Sequence, residues 1–285
     1  MSGSANGAVP PVEVVLTDRA EDLDEALGLI HDGFVEAGYV APLPSGRRMH
    51  PSYLNPGTFF ALARSGGQTV GVCNIVCDGP FGLPSDRAFA EENDAVRAAA
   101  DAPLRECGSL VVRSEWRRHT RHVFTKLLGA LVRAQQAEFF ASPVMFAVAP
   151  ESERFHRGVF SAELVAGPRP LYGEPAVLLL THGLRMREGM AAGGGPGRRA
   201  VARLALERHP GWLSDRRRFV PPPPEWFLPL LDEQGYLDRM SAQLSLLSPF
   251  RPPAASPRRA ARARVTALAP RGGGRVPHTR RGGCR

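Results

Sequence analysis

Lysine is almost missing from this chain: of 36 basic side chains, Lys126 is the one lysine and the rest are arginine. That skew, beside 30 Gly and 27 Pro, matches the codon bias of a GC-rich coding sequence and says little about function. Acidic residues are absent from 251–285, which hold ten of the arginines; residues 1–250 keep 26 basic and 28 acidic side chains, a net −2. The formal charge of +8 therefore belongs to the tail, and the body is not a basic protein, which argues against a nucleic-acid binder. Cysteine is scarce. Cys73, Cys77, Cys107 and Cys284 show no Cys-x-x-Cys spacing and no His-x-x-x-His partner, so no metal site is expected. The first three lie in apolar strand-like runs and read as buried free thiols of a reducing cytoplasm. No apolar run approaches the ~20 residues that cross a bilayer. Met1–Pro11 lacks a charged-then-apolar signal pattern, so a soluble cytoplasmic protein is expected. There is no internal repeat.

What is present is a regular alternation of short elements. Val12–Leu16 alternates like a strand. Asp18 with Glu21 signals a helix start, and Leu23, Ala26, Leu27, Ile30, Phe34 and Ala37 then share one helical face up to Gly38. Four prolines and two glycines make 41–57 mostly loop. Two strands, 58–64 and 69–77, flank a Ser-Gly-Gly-Gln hairpin signal. Residues 78–84 are turn-rich and precede a helix over 85–100 and a strand over 104–113. The clearest helix is 119–141, with Val123, Leu127, Leu131 and Ala134 inward and Lys126, Arg133 and Gln136 outward. A buried strand at 144–148, a helix at 151–160 and strands at 162–165 and 176–181 complete the pattern. A hairpin feeding alternating β and α units predicts an α/β fold, a mixed central sheet flanked by helices. After Gly183 the character changes. Residues 184–250 read as a partly helical extension interrupted by Pro221–Pro224, and 251–285 as a disordered Arg/Pro/Gly tail.

Four motifs, taken in order, resemble one family. They are Phe34-Val35-Glu36-Ala37-Gly38-Tyr39 on the first helix; Asp78-Gly79-Pro80 with Gly82-Leu83-Pro84; Arg105-Glu106-Cys107-Gly108-Ser109-Leu110-Val111-Val112; and Pro175-Ala176-Val177-Leu178-Leu179. Over about residues 12–183 the chain resembles the GNAT-fold N-acyl amino acid synthases. A more distant likeness runs to the acyl-homoserine lactone synthases, where an aromatic stands in the place of Tyr39 and an acid in that of Glu106. The resemblance implies a GNAT acyltransferase fold and an N-acyltransferase. The acyl group, long-chain by this resemblance, would pass from an acyl-phosphopantetheine thioester to the amine of an amino acid. The donor, acyl carrier protein or acyl-CoA, would be a co-substrate and not a permanent cofactor.

In that fold two parallel strands part, and the pantetheine amides pair with the exposed strand edge. Here the parting is expected between 104–113 and 144–148, with Leu110, Val111 and Val112 supplying backbone. The phosphate would sit at the start of the helix near His119, with Arg117, Arg118, Thr120 and Arg121 around it. Residues 116–122 lack the glycines usual in such a loop, so arginine side chains would replace backbone contacts, which favours an acyl carrier protein donor. An exposed, ligand-free basic helix start is the plainer reading.

Amine acylation needs a base and oxyanion donors. Glu106, in an apolar strand, is the base candidate, since desolvation raises a carboxyl pKa; a structural Glu paired with arginine is the alternative. Ser109 is the second catalytic candidate. Strict alternation puts it on the opposite face from Glu106, so a shared site requires a bulge. The related families have arginine at the place of Ser109, and also on the first helix where Ile30, His31 and Asp32 stand. Phe34 and Tyr39 are candidates for an acyl or amine pocket, or for plain core. His156 reads as a satisfied histidine or a proton donor to the thioester sulfur; Asp18, Asp86 and Asp94 read as caps or solvated faces. Two other functions remain: a short-chain acetyl-CoA-dependent N-acetyltransferase, and a catalytically degenerate binding protein with a basic tail.

Overall fold

The computed structural model describes residues 10–17, 19–138, 140–192, 195–206, 222–237 and 240. Alternating apolar residues form β1 (Glu13–Thr17), antiparallel to β2 (Phe59–Ser65). Gly66 and Gly67, at φ +58° and +80°, supply the left-handed backbone that turns β2 tightly into β3 (Gln68–Cys77). β4 (Arg105–Val112) runs antiparallel to β3; β5 (Pro143–Val148) is parallel to β4. β6 (Glu163–Leu171) and β7 (Glu174–His182) form the last hairpin, and the order is β1-β2-β3-β4-β5-β7-β6. One mixed, mostly antiparallel seven-stranded sheet results. Its single parallel pair is the one joined by a helical crossover, as a parallel connection requires.

That crossover is α3 (Thr120–Glu138). Its Val123, Leu127, Leu131 and Ala134 are all buried against Phe59, Cys73, Ile75, Val144, Phe146 and Leu179. The opposite face is covered by α1 (Ala20–Glu36), through the buried Leu23, Ala26, Leu27 and Ile30. Leu110 and Val112 side with the α3 core, while Val111 points at Gly33 of α1. The remaining helices are α2 (Asp86–Ala99), α4 (Glu153–Phe160), α5 (Gly183–Ala191), α6 (Pro196–Leu206) and α7 (Pro224–Glu233). Met186 of α5 and Val201 of α6 belong to the same apolar core as α3.

Some expectations need correction. The strand expected over 162–165 extends to Leu171, through Pro168 and Pro170. Proline lacks a ladder donor but is tolerated at a sheet edge, where β6 lies. The apolar face of α1 ends early: Phe34 is half-buried and Ala37 exposed. Asp18 lies outside the described residues, and Arg19 stands at the N-cap with no side-chain capping bond. Within the expected loop, Pro51–Leu54 forms a buried turn of 3-10 helix. Pro224 opens α7 instead of interrupting a helix, which suits a first-turn position with no donor to lose. Cys107 is half-buried, not buried. Residues 207–221 and 241–285, with Cys284, lie outside the described residues.

The close approach of α1 to β4 depends on Gly33, because any Cβ there would overlap the Val111 side chain. Gly33→Val is expected to lower stability by about 1–3 kcal/mol, measured by urea denaturation. The added Val111→Ala change should recover part of the loss; no recovery would mean the clash lies elsewhere.

Candidate active site

β4 and β5 pair at two positions, Arg105 with Val144 and Glu106 with Met145. β4 then continues to Val112 and β5 to Val148 with no further pairing between them. Leu110, Val111 and Val112 lie on this unpaired, half-buried stretch. Beneath it, on the α3 side, is an apolar gap of about 20 Å³, lined by Ile75, Cys107, Leu128, Leu131, Val144 and Phe146, among others.

Glu106 closes the paired end and is 4% exposed. Its Oε2 accepts from the Ser85 backbone N–H (2.9 Å) and hydroxyl (2.6 Å). Burial raises its carboxyl pKa to about 7, against the lowering effect of those two bonds; Asp86 adds to the rise and Arg97 opposes it. Among the described residues no arginine pairs with it directly. Ser85 stands at the start of α2 and, instead of capping the helix, turns to Glu106, while Asn93 Nδ2 donates to its hydroxyl (2.8 Å). Arg97 bridges Asp78 and Asp86, whose hydrogen bonds hold its guanidinium charged despite partial burial. Asp86 is thus a structural acceptor, bound also by the Leu83 N–H (2.8 Å), and not a solvated face.

The bulge needed to bring Ser109 to the same face is present. From Gly108 to Val111 β4 takes three steps while β3, from Asn74 to Val72, takes two. Ser109 sits in it at φ +50°, an uncommon conformation for a residue with a Cβ. Its Oγ lies 2.8 Å from the hydroxyl of Tyr53, a buried residue of the 51–54 turn. Burial pushes the Tyr53 phenol pKa up, and Arg48, Ser109 and Asn74 pull against it. Asn74, opposite Gly108 and 1% exposed, has no hydrogen-bond acceptor for its Nδ2 among the described residues. A buried donor with no partner beside a serine and a tyrosine hydroxyl is a ready place for a developing negative oxygen.

Phe34 and Tyr39 meet edge-to-face at 5.5 Å, but their surroundings differ. Tyr39 is 39% exposed, at the rim. Phe34 packs on the Arg48 guanidinium, 4.6 Å from its ring centre, and Tyr172, edge-to-face with Phe34 at 6.3 Å, packs on it at 4.7 Å. Tyr172 is itself at φ +55°, in the β6–β7 turn. Burial holds its phenol protonated, well above the ordinary range, against Arg48; Tyr53, Tyr236 and Glu106 reinforce it. Tyr172 therefore stands in the field of both Arg48 and Glu106. A cavity of about 240 Å³ adjoins, lined by His50, Phe81, Leu83, Arg87, Tyr236 and Met240 among others, so part of the segment 78–103 forms one of its walls.

At the other end, Arg117, Arg118, Thr120 and Arg121 are all exposed. The free backbone donors expected at the start of α3 are partly spent. A 3-10 turn, Ser114–His119, runs into the helix and Thr120 N–H bonds to the Arg117 carbonyl. Arg117 pairs with Glu36. Side chains, above all those of Arg118 and Arg121, are what remain for an anion. His156 is ringed by Phe146, Phe155 and Phe160, and its Nδ1 donates to the Ser152 carbonyl (2.9 Å). Burial lowers its pKa, so the neutral ring has no proton on Nε2 to give to a leaving thiolate. Among the described residues no three His, Cys, Asp or Glu gather as a metal site, and no helix is long and apolar enough to cross a membrane.

Reading the sequence alone missed Ser85, Asn93, Tyr53, Tyr172 and Arg48. Ser85 carried a helix-start signal and Asn93 lay within the expected helix over 85–100; the others lay in loops and turns with no periodicity to draw notice.

A family model described as N-acyl amino acid synthase FeeM matches residues 25–182. The chain is similar to the solved FeeM, an N-acyl amino acid synthase from uncultured soil microbes. Identity is 16%, with 64% of this chain and 96% of that one covered, at a TM-score of 0.51. It is also similar to the AHL synthase LasI (16%; 62% and 91%; 0.49). An acyl-CoA N-acyltransferase from Pseudomonas aeruginosa follows (15%; 60% and 99%; 0.44). At such identities the likeness is one of fold, the GNAT acyltransferase fold. No curated protein matches the sequence.

The raised Glu106 pKa has a consequence for stability. Between about pH 4.5 and 7 the unfolded carboxyl ionises while the folded one keeps its proton, so stability falls as pH rises through that window. Glu106→Gln removes this penalty. Relative to the parent, the variant is expected to gain on the order of 3 kcal/mol between pH 4.5 and 8. Thermal melts at both pH values check it; a pH-independent difference would show that Glu106 does not titrate in that range.

Proposed function

The chain belongs to the FeeM N-acyl amino acid synthase family, and we propose that it acylates the α-amine of an amino acid from a phosphopantetheine thioester. The supporting observation is the parting of β4 and β5 directly beyond a buried carboxyl. In this reading the pantetheine amides pair with the open edge of Cys107–Val112 as one more strand. The thioester carbonyl then lies by the bulge, where Asn74 Nδ2 and one hydroxyl of the Tyr53–Ser109 pair donate to its oxygen. Glu106 takes the proton as the amine nitrogen attacks the carbonyl carbon. The C–N bond forms, the C–S bond breaks, and the proton returns to the thiolate. A carboxyl with a pKa of about 7 suits both directions of transfer.

Exposed Arg118 and Arg121 favour an acyl carrier protein as donor, since their forks match a single phosphate and an acidic protein surface. The wall supplied by 78–103 favours a long acyl chain. The narrowness of the apolar gap, about 20 Å³, favours instead a short-chain acetyl donor. We assign catalysis to residues 12–183 and read the setting as cytoplasmic, with 251–285 dispensable.

Thioester release with a panel of acyl donors, with mass spectrometry of the products, tests the reading. Glu106→Gln is expected to lower kcat by roughly 10²–10⁴. Unchanged kcat would remove Glu106 as the base. Arg118→Glu with Arg121→Glu should raise KM for acyl carrier protein at least about tenfold and leave a small pantetheine thioester untouched. Residues 1–250 alone should retain activity.

A further inference from the structure

Arg47 and Arg48 are neighbours in sequence with opposite fates. Arg47 forks onto Asp24, its Nη2 2.7 Å from Oδ2. Arg48, anchored by its backbone N–H to the Leu27 carbonyl (3.1 Å), turns inward and is 6% exposed. Among the described residues, no hydrogen bond or carboxylate meets its side chain, and Nε is enclosed with no acceptor. Phe34 and Tyr172, their ring centres 6.3 Å apart and their planes at 72°, form a corner on the guanidinium. Ring faces recover part of the lost hydration of a buried cation but supply no acceptor for its N–H groups. An anion approaching from the side that the rings leave open would complete it, and a carboxylate matches the guanidinium fork.

The position says which anion. Tyr172 carries the Arg48 guanidinium on its ring and lies in the field of Glu106. The Arg87 guanidinium, on the wall of the 240 Å³ cavity, lies 5.9 Å from the same ring. The exposed arginines proposed for the donor phosphate stand instead at the start of α3. Tyr172 and Gly173, at φ +55° and +87°, are the two-residue turn of the β6–β7 hairpin, a geometry that needs left-handed backbone at both positions and so fixes where Tyr172 stands. Resting on the acyl-transfer reading, we propose that Arg48 receives the α-carboxylate of the acceptor. The site then recognises amines that carry a neighbouring carboxylate and discriminates against the same amines without it.

Calorimetric titration of the purified full-length protein tests this without any acyl donor. The probes are the protein amino acids, then the α-amide and the decarboxylated amine of each that binds, and inorganic phosphate and pantetheine 4′-phosphate. At least one amino acid is expected to bind, with its amide and amine at least about tenfold weaker, the range lost with one charged pairing. Arg48→Gln should erase that preference while leaving the weak binding of the amide unchanged. Arg48→Met, which keeps an apolar side chain against the two rings without charge, should melt at or above the parent temperature and lose the rise that the amino acid produces. A guanidinium kept for stability would give the reverse. The proposal is overturned if no amino acid binds, if acid and amide bind alike, or if the Arg48 variants weaken only phosphate or pantetheine phosphate. Failure of acyl transfer in every donor assay, with the titrations as expected, would count against the catalytic reading and not against Arg48.

Discussion

The arrangement of the site depends on two strands ceasing to pair. β4 and β5 share two residue pairs and then run on apart, so the β4 backbone faces an opening where a sheet would ordinarily face a neighbour. Unpaired backbone groups inside a protein are costly, and a fold keeps them only where something else satisfies them. An amide-bearing arm of strand-like width meets that condition. The bulge at Ser109, the helix crossover through α3 and the close packing of Gly33 on Val111 all act on β4 at this place.

Around the opening, polar groups are buried in ways that a stable core alone does not require. Glu106 is desolvated yet met by a neutral serine in place of a cation, so its proton is loosely held near neutrality. The arginine of that region, Arg97, is engaged by Asp78 and Asp86 one layer away. Among the described residues, Asn74 Nδ2 and Arg48 Nε have no acceptor. These groups line one side of the sheet, from α2 across β4 to the β6–β7 turn, while the α3 side is apolar and closely packed. The sheet thus separates a structural face from a chemical one.

Much of the fold is legible in the sequence. The 3.6-residue spacing in α3 and the alternation in β1 place side chains on faces by local geometry, and that geometry survives in any context. The hairpin at Gly66–Gly67 follows from the backbone freedom of glycine. The two prolines of β6 misled, because whether proline is tolerated depends on being at an edge, and edges exist only once the strands are ordered. For the site, Glu106 stood out as a charge in an apolar strand. Ser109 was noticed, but its facing turned on a bulge that alternation cannot foresee.

By itself, then, the sequence determined the element order, the apolar faces and the one carboxyl that burial would perturb, because those follow from neighbours in the chain. Tertiary structure decided what meets what: Ser85 on Glu106, Tyr53 on Ser109, and Tyr172 brought against Arg48 from more than a hundred residues away. Those partners share no local pattern. They are set by strand order and by loops whose paths are fixed only when the sheet has formed, and so the chemistry of the site becomes visible only in three dimensions.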